Sequence, residues 1–212
     1  MKSMENDIKE CLRANLTSGL DAWLLEAGFT RRGNGLIYAR ELAESIQKIE
    51  VAVETHPKDR PDSAAAVYPW LEVSMAAVDQ LALEMVGGDL SLLKGLPDIT
   101  LREPIELTSA KAAHARWFIF QPDSVPGVVS EMRLFLQQWT IPFLNSYSTP
   151  AEMCLVYAHD DARVITQPIR VAAAMVLCGR TADAFGVMDR WFGKPGPRKQ
   201  YQRVFDYLTA ER

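Results

Sequence analysis

Apolar residues recur at helical spacing at the start of the chain, where Ile8, Leu12, Leu16, Leu20, Trp23 and Leu24 fall on one stripe with polar residues between them. This period predicts a long amphipathic helix over residues 5 to 27, stopped by Gly28. The period then changes. Residues 36 to 40 and 46 to 55 alternate as two strands joined by a short polar connection, with Ile49, Val51 and Val53 on one side and Lys48, Glu50 and Glu54 on the other. HPKDRPDSA, residues 56 to 64, is a loop by its prolines, aspartates and serine. A third strand follows, with Val67, Leu71, Val73 and Met75 on one face and Tyr68, Trp70, Glu72 and Ser74 on the other.

Beyond it the pattern predicts a short helix over residues 77 to 85 ending at Gly87 and Gly88, then an irregular stretch with an edge strand near residues 104 to 108. RWFIFQ, residues 116 to 121, reads as a short aromatic strand. Asp123 is placed to cap a helix through Met132, Leu134, Phe135 and Leu136, which Pro142 is expected to kink or end near Thr140. Ser148 or Thr149, followed by Pro150 and Glu152, opens another helix. Residues 169 to 192 then spell two packed helices, the first apolar nearly all round. Gly179 forms the turn and Thr181 with Asp183 the expected cap, and a last helix follows GKPGP.

The connections between the first three strands are too short for a helical crossover, so their pairing is expected to be antiparallel. The fold class is α+β: an antiparallel sheet packed by helices over residues 1 to 145, with a helical C-terminal subdomain over residues 146 to 212 packed on it. A chain of 212 residues buries a core without staples.

Charge and cysteine content restrict the setting. With 27 acids against 23 bases the net charge is −4, which gives no general attraction to nucleic acid or anionic lipid, and a basic partner is the easier one to draw in. Cys11, Cys154 and Cys178 are too scattered for a disulfide scaffold or zinc site, and they read as reduced, buried thiols in a cytoplasmic protein. The first residues lack the basic start, apolar block and cleavage site of a secretory signal, and no apolar run reaches the length of a membrane span.

Candidate chemistry is sparse. His56 stands beside Lys58, Asp59, Arg60 and Asp62, a loop in which a small hydrolase would use Glu50 or Glu54 as its carboxylate. No second histidine accompanies it at metal-ligand spacing, and a solvated charged loop is the simpler reading. His159, Asp160 and Asp161 are turn residues at a helix end, and His114 stands alone in AKAAHAR. GxGxxG, GxxxxGK[ST] and GxSxG do not occur. Arg190, Lys194, Arg198, Lys199 and Arg203, interleaved with Trp191 and Tyr201, form a basic C-terminal stretch, but Asp189 and Asp206 interrupt it and nucleic acid is not the expected partner. No residue is assigned a catalytic, metal-binding or cofactor role.

The opening helix, GFTRRGNGLIYAR at residues 28 to 40, the polar-faced strands, QQWTIPFLNSYSTPAE at residues 137 to 152 and the ending MVLCGRTADAF together resemble an uncharacterised group of bacterial proteins. Some members of that broad class are similar to immunity proteins of toxin systems. The resemblance implies a toxin-neutralising function and carries no site residues with it.

Site residues come instead from alternation. If Ile49, Val51, Val53, Val67, Leu71, Val73 and Met75 face the core, then Glu50, Glu54, Tyr68, Trp70 and Glu72 share the opposite face. An acidic, aromatic patch of this kind suits a basic protein partner, a toxin domain in the concrete version.

Overall fold

A computed structural model describes residues 2 to 33, 35 to 109, 115 to 158 and 168 to 211. His114, His159, Asp160 and Asp161 lie outside the described residues. The strands are β1 (Thr30–Arg31), β2 (Ile37–Glu41), β3 (Ile46–Thr55), β4 (Ala65–Ser74), β5 (Leu101–Pro104) and β6 (Trp117–Ile119). The helices are α1 (Lys2–Glu26), α2 (Ala76–Met85), α3 (Val125–Phe135), α4 (Ile141–Asn145), α5 (Pro150–Ala158), α6 (Pro168–Leu177), α7 (Thr181–Phe192), α8 (Pro195–Gln200) and α9 (Gln202–Ala210).

Among the described residues the strands form one sheet in the order β1-β2-β3-β4-β5, with β6 also pairing β4. The sheet is antiparallel, as the short connections require. Leu42 N–H bonds the Ser45 carbonyl at the tip of the β2–β3 hairpin, and Val51 N–H bonds the Leu36 carbonyl at its open end. His56 N–H to the Ala64 carbonyl and Lys48 Nζ to Glu72 Oε1 set one register for β3 and β4. Pro69 sits inside β4, beyond the stretch from Ala65 to Val67 that pairs β6, so its missing donor falls outside that ladder.

The chain divides into two compact units. The first comprises residues 1–41, 47–72 and 103–145, and the second comprises 42–46, 73–102 and 146–212. The C-terminal helices from Ser146 onward thus share their unit with α2 and the segment after it.

In the first unit Ile8, Leu12, Leu16, Leu20 and Leu24 are buried at four-residue steps along α1, which packs on α3. Gly19 permits this approach: a Cβ there would stand 2.8 Å from Cγ1 of Val129. The α1 terminus closes with Gly28 N–H on the Leu25 carbonyl and Phe29 N–H on the Leu24 carbonyl. Trp117 on β6 meets Phe135 on α3 edge to face with ring centroids 6.2 Å apart.

Several local expectations are corrected. Asp123 does not cap α3. A tight 3₁₀ turn, Pro122–Ser124, leads into the helix, and Ser124 Oγ donates to the Gln121 carbonyl instead. The kink or end expected near Thr140 takes the form of a π turn over Leu136–Thr140, after which the helix resumes as α4. The edge strand lies at Leu101–Pro104, and residues 105 to 108 form a 3₁₀ turn. Thr181 does not cap α7; Arg180 occupies that position, and its Nε donates to Asp183 over 2.7 Å. Thr149 does open α5, accepting from Glu152 N–H at 3.2 Å.

In the second unit α6 is buried on nearly every side and packs against α2, α5 and α7. Gly179 ends it at φ 71°, with Gly179 N–H on the Val176 carbonyl and Arg180 N–H on the Met175 carbonyl. Of the cysteines only Cys154 is buried, and Cys11 and Cys178 are half-buried.

Candidate functional site

Alternation along β3 and β4 is visible in burial. Ile49, Val51, Val67, Leu71 and Val73 are out of water, whereas Glu50, Glu54, Tyr68, Trp70 and Glu72 are half-buried on the opposite face. These residues share one side of the sheet in the first unit, and that side also carries cations. Lys48 Nζ donates to Glu72 Oε1 over 2.5 Å. The Arg116 guanidinium donates to Glu54 Oε2 and, through its other terminal nitrogen, to Asp59 Oδ2, each over 2.8 Å.

Arg116 also lies over two rings, 5.2 Å from the centroid of Tyr68 and 5.4 Å from that of Phe118. Arg60 lies 5.3 Å from the centroid of Phe118 and 5.5 Å from that of Phe120, and its Nε donates to Asp62 Oδ1 over 3.2 Å. Tyr68, Arg116, Phe118, Arg60 and Phe120 therefore interleave ring, cation, ring, cation, ring. Glu54, Asp59 and Asp62 hold the cations from the side. This ladder fixes the orientation of large side chains that an isolated surface ring would leave free. Phe120 closes it toward solvent at 45% exposure.

The ladder arises from strand pairing. Ala66 of β4 faces Phe118 of β6, which sets Phe118 on the same side as Tyr68, two residues further along. Arg116 and Phe120 follow from the period of two along RWFIFQ, with Trp117 and Ile119 turned to the core. Sequence reasoning missed Arg60, Arg116, Phe118 and Phe120 as members of the face. Alternation within residues 116 to 120 was the available signal, but which side of the sheet it joined depends on a register between distant segments.

The loop of residues 56 to 62 lies at the same end of the sheet. His56 is exposed with φ 51°, a left-handed conformation that the adjoining turn imposes at the end of β3. The carboxylates available to it, Glu54, Asp59 and Asp62, are taken up by Arg116 and Arg60. Through Arg116 the loop is tied to the end of β3. Among the described residues, no group of three or more His, Cys, Asp or Glu side chains is placed to hold a metal ion. Among the described residues, no helix is long and apolar enough to cross a membrane.

A second polar cluster is buried inside the second unit. Arg170, fully buried on α6, donates from Nε to Asp79 Oδ1 over 2.7 Å and from Nη2 to the Leu96 carbonyl. Thr100 Oγ1 donates to Asp79 Oδ2 at 2.9 Å and accepts from Met75 N–H at 2.7 Å. Burial raises the Asp79 carboxyl above its usual range, and the bonds from Arg170, Thr100 and the backbone pull it back. The cluster joins α2, α6 and the segment between α2 and β5, a structural role.

The basic C-terminal stretch makes contacts within the second unit. Arg198 lies 4.0 Å from the Phe205 centroid and pairs with Asp189 at 3.2 Å, and the Arg203 guanidinium lies against Gly87. Trp191, 45% exposed, donates from its indole nitrogen to the Tyr157 hydroxyl at 3.2 Å. Arg198 is half-buried through these contacts, whereas Arg203 and Trp191 stay exposed.

No protein-family model matches this chain, and no curated protein and no solved structure matches it.

Proposed function

We propose that this chain is a protein-binding module that docks a partner on the polar face of its sheet. The observation that carries this reading is the ladder of Tyr68, Arg116, Phe118, Arg60 and Phe120, held in place by Glu54, Asp59 and Asp62. Tyrosine, tryptophan and arginine are the side chains that dominate binding energy at protein interfaces, and side chains already locked in place lose little entropy on docking. Trp70, Glu50 and Glu72 extend the same face. Glu50, Glu54, Asp59, Asp62 and Glu72 stand against Lys48, Lys58, Arg60 and Arg116, a small acidic excess that favours a basic partner.

The concrete version is a cytosolic immunity-type protein that neutralises a toxin domain, and its support is the resemblance described above. The hydrolase alternative at His56 loses ground because its neighbouring carboxylates are engaged by arginines.

The test compares the tagged chain with Phe120→Ser and Tyr68→Ala variants in extracts of its own cells, after checking that each variant melts close to the parent. Retention of a protein by the parent and its loss from both variants supports the reading. Equal retention by all three overturns it. For a basic partner, removing charge with Glu54→Gln and Asp59→Asn slows association at low salt and has less effect at high salt.

A further inference from the structure

Among the described residues β6 pairs β4 and no other strand, with Ala65 against Ile119, Ala66 against Phe118 and Val67 against Trp117. Ala64 N–H donates to the Ile119 carbonyl over 2.8 Å, so the backbone polar groups of Ile119 point toward β4. Successive residues of a strand turn their N–H and C=O to opposite sides, which aims those of Phe118 away from β4 at the unpaired side of the strand. Outside the strand pairing, no backbone bond among the described residues involves Phe118. An edge that presents a donor and an acceptor from one residue is a template for a further strand.

We propose that a second copy of this chain pairs there, with the two β6 strands antiparallel about a two-fold axis at Phe118. Phe118 N–H then donates to the Phe118 carbonyl of the second copy and its carbonyl accepts in return, a hydrogen-bonded antiparallel pair that matches itself. The same register sets Arg116 across from Phe120 of the second copy and Trp117 across from Ile119 of the second copy. A cation therefore meets a ring on one face of the sheet and an apolar residue meets an apolar residue on the other, each twice by symmetry, with no like charges opposed. Phe120 keeps 45% of its surface exposed for that contact. The alternation of ring and cation seen within one chain thus continues into the next, and this match selects a second copy over an arbitrary strand. The edge is only Trp117–Ile119, so the pairing buries less than a standard interface and is reversible. It runs along the hydrogen-bonding direction of the sheet, whereas the proposed docking face lies at right angles to that direction, so either can be lost without the other.

The experiment uses the full chain alone. Sedimentation equilibrium over a range of concentrations is expected to show a reversible monomer–dimer equilibrium, half complete at or below about 1 mM protein. Amide exchange locates the interface in the unmodified chain: the Phe118 amide is expected to exchange more slowly in a concentrated sample than in a dilute one, while the Ile119 amide, already turned to β4, exchanges alike in both. Phe120→Arg sets like charges across the axis and is expected to raise the dissociation constant by about tenfold or more, in a variant checked to melt close to the parent. A chain that stays monomeric up to about 1 mM overturns the proposal. A dimer in which the Phe118 amide gains no protection places the interface elsewhere and overturns it as well, as does a folded Phe120→Arg chain that dimerises like the parent.

Discussion

The guanidinium of Arg116 donates to the carboxylate of Glu54 over 2.8 Å, between a residue just before β6 and one near the end of β3. The two are far apart in sequence, and the pairing changes what the polar face is. Alternation alone gives a row of acids that would repel one another. With Arg116 and Lys48 in place, much of that charge is balanced locally and the rings of Tyr68 and Phe118 are covered by a cation.

A lysine at residue 116 keeps the charge but cannot lie flat on two rings while bonding two carboxylates. Arg116→Lys is expected to destabilise the chain by about 1 kcal/mol, a modest amount because the arginine is partly exposed and solvent screens its pairs. Urea denaturation measures it. A loss no larger than that of a neutral surface control would mean that the ladder adds no rigidity.

Much of the fold was legible in the sequence because local periodicity determines it. The four-residue steps of Ile8 to Leu24 and the alternation of Ile49 and Val51 against Glu50 needed no distant information. Residues 116 to 120 carry an equally clear alternation, yet their meaning waited on the register of β6 against β4. Arg170 was hidden for another reason: it sits in an apolar helix where a charged residue reads as the exposed edge, and only Asp79 explains its burial. The missed caps at Asp123 and Thr181 have a third cause. Suitable side chains were present, but a 3₁₀ turn and the Arg180–Asp183 pair took their places.

The Asp79–Arg170 pair supplies a stability prediction. Removing either partner leaves an isolated buried charge, so Asp79→Ala or Arg170→Met is expected to cost about 3–5 kcal/mol in chemical denaturation. The double variant Asp79→Leu with Arg170→Met is expected to cost much less than the sum of the single losses. Additive losses would mean that the two side chains act independently.

Packing between α1 and α3 gives a prediction that opposes intrinsic helix propensity. Alanine is the better helix former by about 1 kcal/mol, yet Gly19→Ala places a methyl 2.8 Å from Val129 Cγ1 and is expected to lower stability by about 1–2 kcal/mol. Adding Val129→Ala should recover part of that loss relative to Val129→Ala alone. A more stable Gly19→Ala chain would show that the helices separate at no cost.

Alkaline pH probes Tyr38. Burial first, and then its 2.8 Å hydrogen bond to Asp21, raise the phenol above its ordinary value near 10. Since the folded value is the higher one, the associated stability is fully present below about pH 10 and falls as pH rises toward the folded value. The denaturation midpoint of the parent is expected to decline above pH 10 more steeply than that of Tyr38→Phe. Parallel declines would remove Tyr38 as a source of that dependence.

The binding face is tested most directly by photo-crosslinking in the protein's own cells, with benzoylphenylalanine placed at residue 120 or residue 68 and, as a control, at the exposed Leu155 on α5. The account predicts that one protein is captured from both face positions and not from residue 155, and that mass spectrometry identifies it as basic. Capture of the same species from residue 155, or no species from residues 68 and 120 while other surface positions do capture one, would contradict it.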